Sequence, residues 1–573
     1  MIHVAPSLAA DEARVATLPQ LWRRRCAQWS DRPALRHKER GIWQGPSWSD
    51  LFAEARAIGL AMGDAGLAPR DVVSILSDNR PQWLIVDVAA QAMGYVSHGI
   101  YPCSTTAQVG HALVEAGSRV VIVENADQLM KVLAVREQCP DLRHIVVIET
   151  RGLRRFTDAQ VSSYDDWRSR GAEAAAKRPA LFDSRIDAGN GNQIAFLAST
   201  AGSTGAARLV AVRQHEFVQE VRATRQWLRL HPGDRSLSVV SLAQHGERLL
   251  AAKAMLMHES LLHFPENAAT VFNDMLEVEP HFLFAPPRFF EKLQGLAELF
   301  MQEAIPGARA AYAASLSAAR PGWWQRKTRG RIRAALGLQN VRLALTSGAS
   351  SPGDTAAWFE TIGVPMLDCY GLAEVGFCTE AQLKLAPDGE ILVLSANPRA
   401  GYWTRGEVSG ASTDSEGWLR TGDLGRLDEQ GRVRLLGRVQ ARVVGGKGKP
   451  ISPEVAEDAF RLSAYIADAV VVQTEGRGLA ALLSLDEERI RNYAQQQKLP
   501  FTDYASLLAL PEIDALIAAQ VQIANGRLPE CHRVRSVRVI PRPLRSGDEE
   551  LTPAMRLNRW VVARRYADLL DAA

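Results

Sequence analysis

Residues 196–210 read Phe-Leu-Ala-Ser-Thr-Ala-Gly-Ser-Thr-Gly-Ala-Ala-Arg-Leu-Val. Ser199, Thr200, Ser203 and Thr204 place four hydroxyls beside backbone amides, a donor set suited to an anion. Gly202 and Gly205 permit positive φ and close approach of the backbone to a ligand. Arg208 adds a positive charge. The chemistry on offer is phosphate binding, although a flexible Ser/Gly loop has the same composition. It is not a Walker loop, because no Gly-Lys-Ser/Thr precedes a helix.

The elements around this loop are readable from periodicity. An apolar run at Ile194–Leu197 leads in and another at Leu209–Val212 leads out, giving strand, loop, strand. Helical spacing covers 18–30 and 49–66. Asp71–Ser77 reads as a buried strand, followed by a turn at Asp78–Pro81 and a helix to about Met93. Val96–Tyr101, Val120–Glu124 and Ile145–Ile148 continue the alternation, which argues for α/β layers with parallel sheet. The polar, Ala-rich stretch 170–190 reads as a surface connection, and the Ala/Arg-rich stretch 306–335 as helical. Helix and strand alternate from Glu216 to Tyr370. Residues 388–437 read as β-rich, and a new α+β unit begins near Arg438 with helices near 454–463, 487–496 and from Arg559. No internal repeat is visible.

At 573 residues, 47% hydrophobic and 23% charged, the chain has the makings of two or three globular domains. A net charge of +3 gives no global drive toward nucleic acid or an anionic membrane. The six cysteines are scattered without a CxxC pair, which suits reduced thiols in a cytoplasmic protein without a zinc site. No signal peptide is expected at Met1–Pro6, and no apolar run is long enough for a membrane span. Only ten of the 67 basic residues are lysine, so any Lys-to-Arg exchange must be weighed against a strong arginine bias.

Several further stretches occur in order and at consistent spacing: Ser77–Trp83, Gly99–Pro102, Ala285–Lys292, Ser347-Gly-Ala349, Tyr370-Gly-Leu-Ala-Glu374, Gly417–Asp423 and Gly437-Arg438. Together they resemble the adenylate-forming, AMP-binding superfamily in its long-chain acyl-CoA synthetase branch. The resemblance implies an N-terminal AMP-binding domain over 1–437, made of layered sheets and helices. A small mobile α+β domain would follow over 438–573, with the hinge near Gly437–Ala441. It implies activation of a carboxylic acid by ATP to acyl-AMP, then displacement of AMP by CoA as the small domain rotates. Residues 199–208 would cradle phosphates. Tyr370 would stack on adenine with Gly371 allowing close approach, and Gly348, Ala349, Asp368 and Cys369 would border the nucleotide. Glu374 would hold Mg²⁺. Asp423 and Arg438 would bind the ribose. Gly448, in the Gly445–Lys449 loop before Glu454 and Glu457, would face the thioester-forming site. The acyl pocket would lie between the Gln244 segment, residues 285–292 and the 345–372 strands.

The chain departs from the family pattern where adenylation is concerned. Arg208 replaces the phosphate-loop lysine, and Ala373 replaces the Thr or Ser that precedes the Mg²⁺ glutamate. Gln244 stands in the acyl-site histidine position, with His245 beside it. Arg556 occupies the place of the lysine that organises adenylation, in Leu551-Thr-Pro-Ala-Met-Arg556. A planar guanidinium does not reproduce a compact ammonium, and loss of one transition-state donor costs about 10²–10³ in rate. The positions for adenine and ribose are intact. One reading is a ligase that makes the thioester from acyl-AMP and CoA with weak or absent adenylation, fed by a separate adenylating enzyme. Another is a complete ATP-dependent synthetase, and a third a non-catalytic scaffold. The absence of a carrier-protein domain disfavours an amino-acid adenylating module. The oligomeric state is left open.

Overall fold

The computed structural model describes residues 15–200, 207–223, 230–318, 320–348, 353–378, 382–394, 399–410, 413–427, 433–444, 450–474, 478–544, 546–552 and 557–571. Among them, Val72–Leu76, Val96–Ile100, Ser118–Val123, His144–Val147 and Ile194–Ser199 lie parallel in a nine-stranded sheet. Every residue of the Val72–Leu76 strand is buried, as expected of a parallel strand covered on both faces. Leu209–Arg213 turns back antiparallel to Ile194–Ser199, so the two ends of the glycine-rich loop start from one sheet edge-to-edge pair.

A seven-stranded sheet stacks the strands Met366–Cys369, Leu343–Ser347, Phe282–Phe284, Arg235–Ser238 and Leu261–Phe264, all parallel. A four-stranded antiparallel sheet follows, in which Trp418–Leu427 pairs with Val433–Arg438. Beyond it, Ile466–Thr474, Gly478–Leu485 and Ser536–Val539 form a three-stranded sheet. That sheet has its own core of Phe460, Leu483, Ile490 and Leu507, apart from the core around Trp83, Phe182, Phe196 and Phe217. The α/β layering and the succeeding α+β unit are as the periodicity indicates. No described helix is long and apolar enough to cross a membrane.

Residues 170–190 are not a surface connection. Tyr164–Lys177 and Leu181–Ala188 are helices packed into the large core. Alanine favours helix, and the small residues serve close packing. A Cβ on Gly171 would lie 1.7 Å from the Ala57 carbonyl oxygen, while Phe182 is fully buried against Gly59. Helix ends are marked by local chemistry. Ser47 and Asp50 form a reciprocal cap before Trp48–Asp64, and Thr105 and Gln108 do so before Thr106–Ala116.

Candidate functional site

The carboxyl ends of strands from both large sheets open into one cleft of about 2980 Å³. Ligands in parallel α/β proteins bind at this end. Its wall contains Ser199, Thr200, Gln244, Gly348, Asp368, Cys369, Tyr370, Gly371, Ala373, Glu374, Asp423 and Arg438. The residues of the expected acyl side, Pro286 to Phe289, Thr346 and Leu367, line the same cleft. Gly99 brings the Gln244 segment against the first sheet, since a Cβ there would meet Ala243 Cα at 2.8 Å and the Trp83 ring at 2.9 Å. Gly202, Ser203, Thr204, Gly205, Ala349, Gly448 and Arg556 lie outside the described residues.

Three of the predicted residues form a bonded unit. Asp423 and Arg438 are direct cross-strand partners. Arg438 Nη1 donates to Asp423 Oδ1 at 2.8 Å and to the Thr421 carbonyl at 3.1 Å. The Tyr370 hydroxyl donates to Asp423 Oδ2 at 2.7 Å. Burial, reinforced by the Asp423 charge, pushes the Tyr370 hydroxyl well above its ordinary range, so it remains a neutral donor. Gly371 cannot carry a side chain, because its Cβ would lie 2.7 Å from the Gly376 carbonyl.

A second chain of contacts starts at Arg208. Its backbone is stapled to Thr200 by N–H to Oγ1 at 2.9 Å and by Thr200 N–H to its carbonyl at 2.9 Å. Its guanidinium lies 3.3 Å from the centre of the Tyr402 ring, and it is not among the residues lining the cleft. The Tyr402 hydroxyl in turn donates to Glu374 Oε1 at 3.0 Å. Burial and the Glu374 charge push the Tyr402 hydroxyl up to about 12. No cluster of three His, Cys, Asp or Glu side chains suited to a metal occurs among the described residues. Glu374 therefore offers one hard carboxylate to the cleft, the donor set that Mg²⁺ uses when substrate phosphates complete its shell.

Behind Ala373 and Glu374 lies a cluster that the sequence did not reveal. Arg399 Nη2 donates to Glu220 Oε2 at 2.6 Å, and His245 Nε2 lies 2.9 Å from the same oxygen. Glu220 also accepts the Phe377 N–H at 3.1 Å, while Arg399 Nε reaches the Ala373 carbonyl at 3.4 Å. Burial opposes ionisation of Glu220, yet Arg399 and His245 together hold its carboxyl down to about 2. The Gly376 turn closes over this group, at φ 76° with a Cβ position 2.0 Å from Glu220 Oε1. His245 is thus a structural partner, bracing through Glu220 the turn that follows Glu374. Nearby Glu247, bonded to Ser238, is pushed up to about 8 by burial.

The far wall of the cleft comes from the last part of the chain, including Gln440, Glu454, Leu557, Asn558 and Arg559. Arg559 pairs with Glu454 at 2.9 Å and with Glu457 at 3.0 Å. Glu457 is itself fixed by the Val471 N–H at 2.7 Å. Leu551 and Leu557 form an antiparallel bridge. Glu457 therefore acts on the tail segment, a role its helix position alone did not indicate.

Comparison with known proteins gives a consistent picture. Residues 22–402 match the sequence family described as AMP-binding enzyme. FadD15, a long-chain-fatty-acid–CoA ligase of Mycobacterium bovis, is 28% identical over 93% of this chain and 92% of its own length. The Drosophila melanogaster long-chain-fatty-acid–CoA ligase heimdall is 24% identical over 99% of this chain and 96% of its own. Among solved structures, the adenylation domain of a carboxylate reductase from Mycobacterium chelonae superposes with a TM-score of 0.77. It shares 19% identity, over 99% of this chain and 92% of that one. The anthranilate CoA ligase AuaEII in complex with anthranoyl-AMP gives a TM-score of 0.71 at 18% identity, over 97% of this chain and 98% of that one. At such identities the two structures speak for the fold.

Proposed function

The chain belongs to the AMP-binding enzyme family, and on that premise we propose that it is an acyl-CoA ligase for a large apolar carboxylic acid. Its main reaction is thioester formation from acyl-AMP and CoA, with weak or absent adenylation. The CoA sulfur bonds to the acyl carbon, the carbon–oxygen bond of the mixed anhydride breaks, AMP leaves and the thiol proton passes to solvent. The two curated relatives, both named as long-chain-fatty-acid–CoA ligases, support the class of acid.

The observation that carries the reading is an asymmetry within the cleft. The Tyr370, Asp423 and Arg438 unit is hydrogen-bonded; in this reading Asp423 and Arg438 would meet the sugar of an adenylate and Tyr370 its adenine. On the phosphate side, Ala373 has no hydroxyl, and the Arg208 guanidinium lies on the Tyr402 ring. With Arg556 in place of a lysine, three contributors to phosphate chemistry differ from the family pattern, each worth about 10²–10³ where such donors have been removed. In this reading Glu374 would hold Mg²⁺ if a nucleotide phosphate is present, supplying charge neutralisation. Residues 1–437 and 438–573 would be the lobes that rotate between half-reactions, about Gly437–Ala441. Acyl-AMP would then be supplied by a separate adenylating enzyme.

The test is product formation from two mixtures: acid, ATP, Mg²⁺ and CoA, and synthetic acyl-AMP with CoA. Thioester should form from the second and little from the first. Comparable rates from both would mean a complete two-step synthetase. Arg556→Lys combined with Ala373→Thr should raise pyrophosphate release from acid and ATP by about tenfold or more. An unchanged rate would remove those two residues as the cause.

A further inference from the structure

Between residues 304 and 353 the sequence contains eight arginines and lysines and no acidic residue, whereas the whole chain carries only +3. Its first part folds as two helices, Pro306–Ser317 and Trp323–Ala335. The second has an inner face and an outer face of opposite character. Ile332 and Leu336 are buried, and Arg329 turns inward to the Ser315 carbonyl at 2.6 Å and the Ala318 carbonyl at 2.9 Å. On the outer face, successive positions on a 3.6-residue helix align Trp323, Trp324, Lys327 and Arg331 in one stripe, with Arg326 on its edge. Trp323 is 59% exposed and Trp324 63% exposed, with their rings stacked at 3.8 Å. No described residue buries this tryptophan pair.

We propose that the outer face of Trp323–Ala335 docks the protein on the surface of an anionic lipid bilayer. Tryptophans seat at the level of lipid headgroups, and a helix with aromatic and cationic groups on one face lies in that plane. Arg326, Lys327 and Arg331 are exposed and form no ion pair with a described residue. Each would be drawn to anionic headgroups. Apolar side chains beside the hairpin favour lipid over nucleic acid: Ile305, at the start of the first helix, is 75% exposed, and Phe300 just before it is 53% exposed. The same Pro287–Glu303 helix that carries Phe300 begins with Pro287, Phe289 and Lys292 in the wall of the cleft. If the acyl-CoA ligase reading holds, this helix joins the lipid surface, where an apolar acid dissolves, to the site that consumes it.

The experiment is co-sedimentation of the full chain with vesicles of phosphatidylcholine alone and of phosphatidylcholine mixed with phosphatidylglycerol. It needs no catalysis, so it stands or falls separately from the ligase reading. Binding to the anionic vesicles should exceed binding to the neutral ones and weaken as salt is raised. Arg326→Gln, Lys327→Gln and Arg331→Gln together should lower the partition coefficient by about a hundredfold. Trp323→Ala with Trp324→Ala should lower it too and abolish quenching of tryptophan fluorescence by brominated lipid, with melting temperature unchanged. Equal binding by wild type and both variants, or no preference for anionic vesicles, would overturn the proposal. So would tighter binding to a single-stranded oligonucleotide through the same five side chains, which would make the face a nucleic-acid surface.

Discussion

Glu220 braces the turn that follows Glu374 by accepting the Phe377 N–H. It is the acidic partner of Arg399, whose side chain is 1% exposed, and of His245. Replacing it with Gln would leave Arg399 buried without a counter-charge, a change that costs about 3–5 kcal/mol in comparable pairs. The loss should depend on pH. An ordinary glutamate titrates near 4.5, and Glu220 near 2. Its contribution is therefore complete above 4.5 and disappears as pH falls toward 2, amounting to about 3 kcal/mol at most. His245, which burial holds below its ordinary 6.5 despite the pull of Glu220, also loses stability as pH falls, because the unfolded imidazole protonates first. Urea unfolding of wild type and Glu220→Gln should therefore differ most near neutral pH and converge toward pH 3; a constant gap would show that Glu220 is not held ionised. A second prediction concerns the nucleotide. Tyr370→Phe removes one hydrogen bond and should weaken AMP about fivefold, whereas Asp423→Asn disrupts both of its partners and should weaken it tenfold or more, by calorimetry. That Tyr370, Asp423 and Arg438 belong together was legible because they sit in short motifs, and the structure brings them to one wall of the cleft. Glu220, His245 and Arg399 were not, since 25 and 154 residues separate His245 from its partners and no spacing rule links them. Nor did the motif indicate that the Tyr370 hydroxyl would be committed to Asp423.

At the scale of elements, glycines show what sequence can and cannot say. Gly171 and Gly330 both sit inside helices of the structure, and by helix propensity alone they are equivalent weak points. In the fold they are opposites. Gly171 faces the backbone of the Trp48–Asp64 helix, with its Cβ position 1.7 Å from the Ala57 oxygen, whereas a Cβ at Gly330 would meet no described atom outside its own helix within 4 Å. Gly171→Ala should force the helices apart and destabilise by about 1–3 kcal/mol or more. Gly330→Ala should stabilise by about 0.5–1 kcal/mol. Paired thermal melts check both signs. The same packing explains why residues 170–190 misled: their polar and Ala-rich composition describes the outer face of two helices, while Gly171, Ala174, Phe182 and Ile186 form the inner one. The strand pattern was easier to read because a fully buried parallel strand such as Val72–Leu76 declares itself by composition alone.

For the whole molecule, the question is whether the last 136 residues, 438–573, move against the rest as proposed. In the present arrangement the two parts touch at several points. Arg288 pairs with Asp468, and Thr105 Oγ1 donates to Glu549 at 3.3 Å. The contact nearest the proposed hinge is at Gly437. Its φ is 143°, and a Cβ there would fall 2.3 Å from Glu454 Oε2 and 2.5 Å from Ser452 Oγ. Ser452 Oγ in turn donates to the Leu436 carbonyl at 2.5 Å. A methyl group at 437 therefore penalises this arrangement through groups of the C-terminal part, and it penalises any other arrangement only through the backbone angle. If the lobes exchange arrangements between half-reactions, Gly437→Ala must change the two steps unequally. Pyrophosphate release from acid and ATP, and thioester formation from acyl-AMP, should shift by factors that differ by about tenfold, with AMP affinity within twofold of wild type because Tyr370 and Asp423 lie on the N-terminal side of the joint. Arg288→Gln, which loosens the contact with Asp468 far from the hinge, should move the ratio in the same direction by a smaller factor. Equal effects of Gly437→Ala on both steps would mean that both proceed in one arrangement, and that the joint at Gly437 is a fixed connection.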